Sequence, residues 1–190
     1  SAIENAIGAT PSQQTIALRE LLTIGERIRS HATHLYFLAL PDYVGCESAL
    51  SMLPKYSAEI KRALRLMKAG NEIIKTIGGR DLHPVSATVG GFLHYPARQQ
   101  LKQLAEQLKA ALQDAVATAE LFAKLEQPCF ERDAPSMSLW NGKEYPLISG
   151  SIKCGNSLFP PSDYRKYIEE YHEPRSTANF VVREGKSYQV

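Results

Sequence analysis

Residues 10–41 read TPSQQTIALRELLTIGERIRSHATHLYFLALP. Thr10 can cap a helix, Pro11 suits a first helical position, and Gln13 can reach back as in a capping box. Beyond them Ala17, Leu21, Ile24, Ile28, His31, Leu35 and Leu38 recur at spacings of 4, 3, 4, 3, 4 and 3. That is a heptad-like seam for packing against other helices. The pattern predicts one long helix running to Pro41-Asp42, where proline stops it.

Two similar segments follow. One is expected to begin near Ser57, with a stripe of Ile60, Leu64, Met67, Asn71 and Ile74, flanked by Leu66, Ile73 and Ile77, and to end at Gly78-Gly79. The other starts at Pro96 and runs to Pro128, with Leu101, Leu104, Leu108, Leu112, Ala115, Ala119 and Phe122 as its seam. Helices of this length predict a mainly α fold, a long antiparallel helical bundle over residues 1–127. From Pro128 the chain is punctuated by Pro135, Gly142, Pro146, Gly150, Gly155, Pro160 and Pro161. Residues 128–190 are therefore expected to form a small irregular α+β portion packed on the bundle. Short strands are predicted around Tyr145-Pro146-Leu147-Ile148, a short helix from Ser162-Asp163-Tyr164 to about Tyr171, and a hairpin of Phe180-Val181-Val182 with Ser187-Tyr188-Gln189-Val190 around Glu184-Gly185.

Between the second and third helices lies Gly78-Gly79-Arg80-Asp81-Leu82-His83-Pro84, continuing to Val89-Gly90-Gly91-Phe92. Glycine pairs permit positive φ and close backbone approach. Proline after His83 biases the histidine towards extended backbone and a stiff loop. The segment is either a functional loop on a helical scaffold or a tight connection whose histidine is capped by nearby carbonyls.

Bulk properties exclude several classes. A formal net charge of +2 in 190 residues gives no electrostatic footprint for nucleic acid. No apolar run approaches a membrane span. The first residues lack a basic segment followed by an apolar one, so no signal peptide is expected. Cys46, Cys129 and Cys154 are few and form no CxxC pair, which fits a reducing, cytoplasmic setting and gives no metal site by spacing. There is no Walker loop, GxGxxG, GxSxG or HExxH. His31 and His34 share a helix face. They are either core histidines bonded to carbonyls or side chains, or part of a metal site whose further ligands are not near in sequence. Asn71 can pair with a histidine across the bundle or set helix register. Phe159, Tyr164, Tyr167 and Tyr171 read as packing. Ile3-Glu4-Asn5-Ala6-Ile7-Gly8 reads as the tail of a helix and Val190 as the end of a strand, which suggests a piece of a longer polypeptide.

Three stretches carry a resemblance. Leu18-Arg19-Glu20-Leu21-Leu22, Ser30-His31-Ala32-Thr33-His34-Leu35-Tyr36 and Leu38-Ala39-Leu40-Pro41-Asp42 together form the first; Gly79-Arg80-Asp81-Leu82-His83-Pro84 with Val89-Gly90-Gly91-Phe92 is the second; Glu173-Pro174-Arg175-Ser176-Thr177-Ala178-Asn179 through Tyr188-Gln189-Val190 is the third. In order and spacing they resemble the nickel–iron hydrogenase large (α) subunit, nearest its cytosolic multisubunit branch of sulfhydrogenase-like, deazaflavin-linked and NAD-linked enzymes. The resemblance implies an oxidoreductase that, when intact, oxidises H2 or reduces protons reversibly. It also implies a nickel–iron centre in the parent protein, a small iron–sulfur subunit and further electron-transfer subunits as partners. The family's two CxxC motifs are absent here, so this piece is expected to be inactive, with no catalytic residue and no metal of its own. His31, His34 and His83 match family histidines, and Arg80 stands where lysine is frequent. The resemblance places His31 and His34 inside the bundle and His83 towards the small subunit, all in supporting roles. Ser30 stands where many members carry aspartate, so no carboxylate role passes to it. Long helices are expected to bring His31 and the His83 turn to a common side. Exposed apolar surface on an excised piece makes a homodimer an expected state. The alternatives are a metal-free, hydrogenase-like scaffold subunit of a redox complex, or an unrelated helical module using His31 and His34 for metal or haem.

Overall fold

The computed structural model describes residues 2–131, 136–147, 149–177, 179–183 and 185–189. The described chain is mainly helical, with small antiparallel sheets towards its C-terminal end, and it falls into two units, residues 1–127 and 128–190.

In the first unit a short helix α1 (Ala2–Ile7) precedes the long α2 (Gln13–Thr33). The cap of α2 is Ser12, whose Oγ accepts from Thr15 N at 3.2 Å. The expected cap, Thr10, lies two residues before Ser12, and Pro11 one residue before it. The helical path continues through a π-helical stretch, His34–Ala39, into α3 (Leu40–Tyr43). The widening there answers Pro41, which has no N–H and would crowd the carbonyl four residues back in an ordinary helix. The chain thus passes the proline by loosening its coil, and stops two residues later.

Helix α4 (Leu53–Gly78) starts earlier than expected, with a break at Tyr56 (φ −115°, ψ 33°) just before the predicted start at Ser57. It ends as predicted: Gly79 has φ 81°, and its N–H bonds Lys75 O at 3.0 Å. That left-handed cap is what glycine supplies at no steric cost. Helix α5 (Arg98–Ala123) starts where Gln100 Oε1 accepts from Ala97 N at 2.8 Å. Helix α4 runs antiparallel to both neighbours. Gly25 faces Gly70 and Ile73, and Tyr36 meets Arg62; on the other flank Arg62 reaches Ala117 and Arg65 grips Asp114.

The packed face of α2 and its π-helical continuation is rotated from the expected seam. Leu18, Gly25, Ala32 and Tyr36 are buried, whereas Ile24 and Leu38 are exposed and His31 is exposed as well. On α4 Leu64 is exposed, and on α5 Leu112, Ala115 and Ala119 are exposed while Thr118 is buried. Small residues cause the rotation. A Cβ on Gly70 would sit 2.6 Å from Gly25 O and 2.7 Å from Arg29 N, so the two backbones are in direct contact. Helices that touch there must turn their glycines and alanines, not their largest side chains, towards each other. Two core clusters result. One gathers Ala32, Tyr36, Leu40, Met52, Ile60, Ala63 and Leu66; the other gathers Leu18, Ile73, Ile77, Phe92 and Leu104.

In the second unit β3 (Met137–Trp140), β4 (Ser151–Cys154) and β5 (Ser157–Phe159) form one antiparallel sheet with β4 central. A second sheet joins β6 (Glu169–His172), β7 (Asn179–Arg183) and β8 (Lys186–Gln189). The predicted hairpin is β7–β8; its expected residues Glu184 and Val190 lie outside the described residues. Tyr145-Pro146-Leu147 is not a strand: Asn141 Oδ1 accepts from the N–H groups of Lys143 and Glu144 and curls the chain, and Ile148 lies outside the described residues. The expected helix to Tyr171 is only a turn, α6 (Tyr164–Tyr167). Buried Ile168 turns extended (φ −133°, ψ 124°) and leads into β6. Phe159 packs with Cys154, Ile168 and Val181, with Tyr167 over its ring at 4.5 Å, so this aromatic set is packing, as expected. Among the described residues no helix is long and apolar enough to cross a membrane.

Candidate functional site

The loop after α4 is fastened by its own backbone. Gly78 O accepts from Val85 N at 2.9 Å and Ser86 N at 3.0 Å, closing the turn around Arg80–Pro84. Arg80 Nε donates to Leu82 O at 2.6 Å and to His83 O at 3.2 Å, so its charge braces the loop from outside. His83 has φ 52°. The expected extended backbone is therefore incorrect: the internal bonds over-determine the turn and hold His83 in the left-handed region despite Pro84. Such non-glycine positions store strain and gather at functional sites. Arg80 and His83 are both exposed.

Beyond Ser86 the chain forms a two-residue-per-strand hairpin, β1 (Ala87–Thr88) with β2 (Gly91–Phe92), pairing Ala87 with Phe92 and Thr88 with Gly91. Ser86 is buried; its Oγ donates to His94 O at 3.0 Å and accepts from His94 N at 3.2 Å, closing the hairpin base. The tip residue Gly90 has φ 81° and donates its N–H to Glu4 Oε1 at 2.7 Å. Glu4 is 1% exposed and also accepts from Arg19, Nη2 to Oε1 at 2.6 Å and Nη1 to Oε2 at 2.9 Å. Arg19 Nη2 reaches Thr88 O at 3.0 Å. The hydrogen bond to Glu4, more than its Coulomb attraction, holds the Arg19 guanidinium above its ordinary pKa. Nearby, Thr15 Oγ1 and Tyr95 Oη lie 3.2 Å apart, tying the start of α2 to the chain beyond the hairpin.

A cavity of about 280 Å³ lies between α2 and the loop, lined among others by Leu22, Glu26, Arg29, Ile74, Asp81 and His83. His31 is not part of it. Two residues beyond Arg29 it points about 200° away around α2, exposed, as is His34. The structure therefore does not bring His31 and the His83 turn to a common side, nor does it bury His31 in the core. Asn71 does not pair with either histidine; its Oδ1 is buried with no hydrogen-bond partner among the described residues.

No set of three or more His, Cys, Asp or Glu side chains able to hold a metal exists among the described residues. Cys46 is half-buried, Cys129 exposed and Cys154 buried. A nickel–iron centre requires converging soft thiolates, and the residues present do not fit one.

The Glu4–Arg19–Gly90 knot was not anticipated from the sequence. A glutamate on a six-residue helix and an arginine on the next carry no spacing signal, because the partners are 15 and 86 residues apart. The mid-helix glycines Gly25 and Gly70 were the readable hint for the tight α2–α4 contact.

No protein-family model matches the chain. It is 39% identical over 193 aligned residues to sulfhydrogenase 1 subunit alpha of Pyrococcus furiosus, a match that covers 100% of this chain and 45% of that protein. It is 41% identical over 125 residues to sulfhydrogenase 2 subunit alpha of the same organism, covering 66% of this chain and 30% of that protein. In fold it superposes on a chain of the NAD+-reducing [NiFe]-hydrogenase solved in the H2-reduced state, with a TM-score of 0.83 at 18% identity, covering 92% of this chain and 44% of that one. The chain spans under half the length of the curated relatives it matches. The match runs the whole length of the chain, and the chain belongs to the hydrogenase alpha, or large, subunit family.

Proposed function

We propose that this chain is the helical frame of a nickel–iron hydrogenase large subunit. The parent protein would oxidise H2 and reduce protons reversibly, and this piece alone would be inactive. The single observation that carries the reading is the 39% identity to a sulfhydrogenase alpha subunit along the whole chain. In the parent, the nickel–iron centre would supply the hydrogen chemistry from cysteine ligands that this chain does not contain.

The role of these residues is to hold shape. The backbone contact at Gly25 and Gly70 sets the separation of α2 and α4, and the buried bonds of Ser86 and Glu4 fix the loop and hairpin against the bundle. A frame so pinned restricts where ligands carried by other segments can sit. His83 and Arg80 are proposed to face the small iron–sulfur subunit, through which electrons pass to further subunits. The strained backbone and exposure of His83 support that role. His31 and His34 are proposed to order hydrogen bonds with parts of the parent that cover their exposed face. Exposed Leu38, Leu64 and Leu112 support self-association of the isolated chain as a homodimer. The working compartment is proposed to be the cytoplasm.

The test is H2-dependent dye reduction by the parent protein beside the isolated chain. Activity in the parent and none in this chain is the expected result. A parent that assembles with its partners yet contains no nickel and turns over no H2 would move the reading to a metal-free scaffold subunit.

A further inference from the structure

We propose that Glu4 is the latch of a strap: α1 and the tip of the β1–β2 hairpin open and close as one unit, coupled through this one carboxylate. Within α1 Glu4 alone is buried, and the apolar Ile3 and Ile7 point outward at 60% and 64% exposure. Apolar burial therefore contributes little to seating this helix. A charge-assisted, bidentate contact replaces the missing hydrophobic one.

The same carboxylate oxygen that takes Arg19 Nη2 at 2.6 Å takes the Gly90 N–H at 2.7 Å, and Arg19 Nη2 in turn caps Thr88 O at 3.0 Å. Withdrawing Glu4 strips the hairpin tip of its acceptor and frees the guanidinium that holds the other strand. A hairpin of two residues per strand is marginal without outside support. Its inner residue Phe92 belongs to the cluster of Leu18, Ile73, Ile77 and Leu104, so opening the strap loosens that end of the bundle. Arg19 is the access point. Its side chain is 23% exposed while that of Glu4 is 1% exposed, so water enters from the guanidinium side. Glycine at position 90 is part of the device, because its φ of 81° aims the N–H at the carboxylate with nothing beyond it to clash.

Hydrogen exchange on the 190-residue chain tests this. In the wild type the amides of α1 and of Gly90 should share one opening equilibrium, weaker than that of Ile73 and Ile77. Glu4→Gln keeps the shape and removes the charge. It should speed exchange of Gly90 and of α1 together by at least about tenfold, with Ile73 and Ile77 changed by less than about twofold. Fraying of α1 with Gly90 unchanged would overturn the proposal, as would a proportional rise at every amide. If Glu4→Gln does not fold, Glu4→Asp retains the charge with a shorter reach. It should raise exchange of α1 and Gly90 equally, and unequal rises would refute the coupling.

Discussion

Tyr36 Oη lies 2.8 Å from Thr118 Oγ1 in the bundle interior, and the direction of that bond is determined by its neighbours. Thr118 gives its only hydroxyl hydrogen to Asp114 O at 2.7 Å, so Tyr36 must donate to Thr118. Tyr36 then accepts from Arg62 Nη1 at 3.3 Å. The chain Arg62, Tyr36, Thr118, Asp114 joins all three long helices, and the Tyr36 ring packs edge-on against Phe122 with centroids 5.8 Å apart. Tyr36→Phe keeps the ring, and it takes a donor from Thr118 and an acceptor from Arg62, which retain their bonds to Asp114 O and Ala117 O. It should cost about 1–2 kcal/mol, seen in urea unfolding as a lower midpoint at unchanged slope.

The glycines of the α2–α4 crossing and of the hairpin tip fail for different reasons. Gly70→Ala presses a Cβ to within 2.7 Å of backbone atoms on α2, and backbone yields poorly. It should destabilise by about 2–3 kcal/mol. Gly90→Ala meets nothing within 4 Å but keeps φ 81°, so its cost should be about 1 kcal/mol and come from backbone strain alone. Thermal unfolding of the pair should rank Gly70→Ala as the worse.

Asp114 carries a pH signature. A two-pronged hydrogen bond from Arg65, Nε to Oδ2 at 2.7 Å and Nη2 to Oδ1 at 2.6 Å, is the main cause holding its carboxyl below the ordinary 3.8. Because the folded pKa lies below the unfolded one, the pair stabilises the fold fully above the unfolded value. That stabilisation fades as pH falls through the folded value. Arg65 is 58% exposed, so solvent screening limits the effect to under about 1 kcal/mol. The stability gap between wild type and Asp114→Asn should be constant near neutral pH and close below about pH 4. A gap that widens in acid would contradict the assignment.

Strain at His83 separates stability from recognition. His83→Gly relieves a left-handed backbone at φ 52° on an exposed loop and should raise stability by up to about 1 kcal/mol. If the side chain faces the small subunit, the same change should weaken assembly of the parent complex, measured by co-purification. Equal or lower stability would show that the internal bonds of Arg80 fully absorb the strain.

The helices were legible because their periods were long and unbroken, and the stop at Gly79 because only a left-handed cap suits a glycine pair there. What periodicity could not show was phase. It selected the large apolar residues Ile24, Leu38 and Leu112, whereas the contacts are made by Gly25, Ala32, Ala63 and Gly70, which hydrophobicity weighs lightly. The same error put His31 on the core side. The histidine loop was readable as a special turn from its glycines and His83-Pro84, but the carboxylate that reaches its far end was not, since Glu4 and Gly90 meet only in the folded chain. Pro41 was read as a stop, and the looser π-helical coil before it lets the helix run past.

In the proposed parent enzyme this chain would frame a bimetallic site without supplying its ligands. Nickel content by elemental analysis, after incubating the chain with Ni2+ and dialysing, tests it most directly. The account predicts far less than one nickel per chain, unchanged when His31 and His34 are replaced by alanine. One tightly held nickel per chain would contradict it.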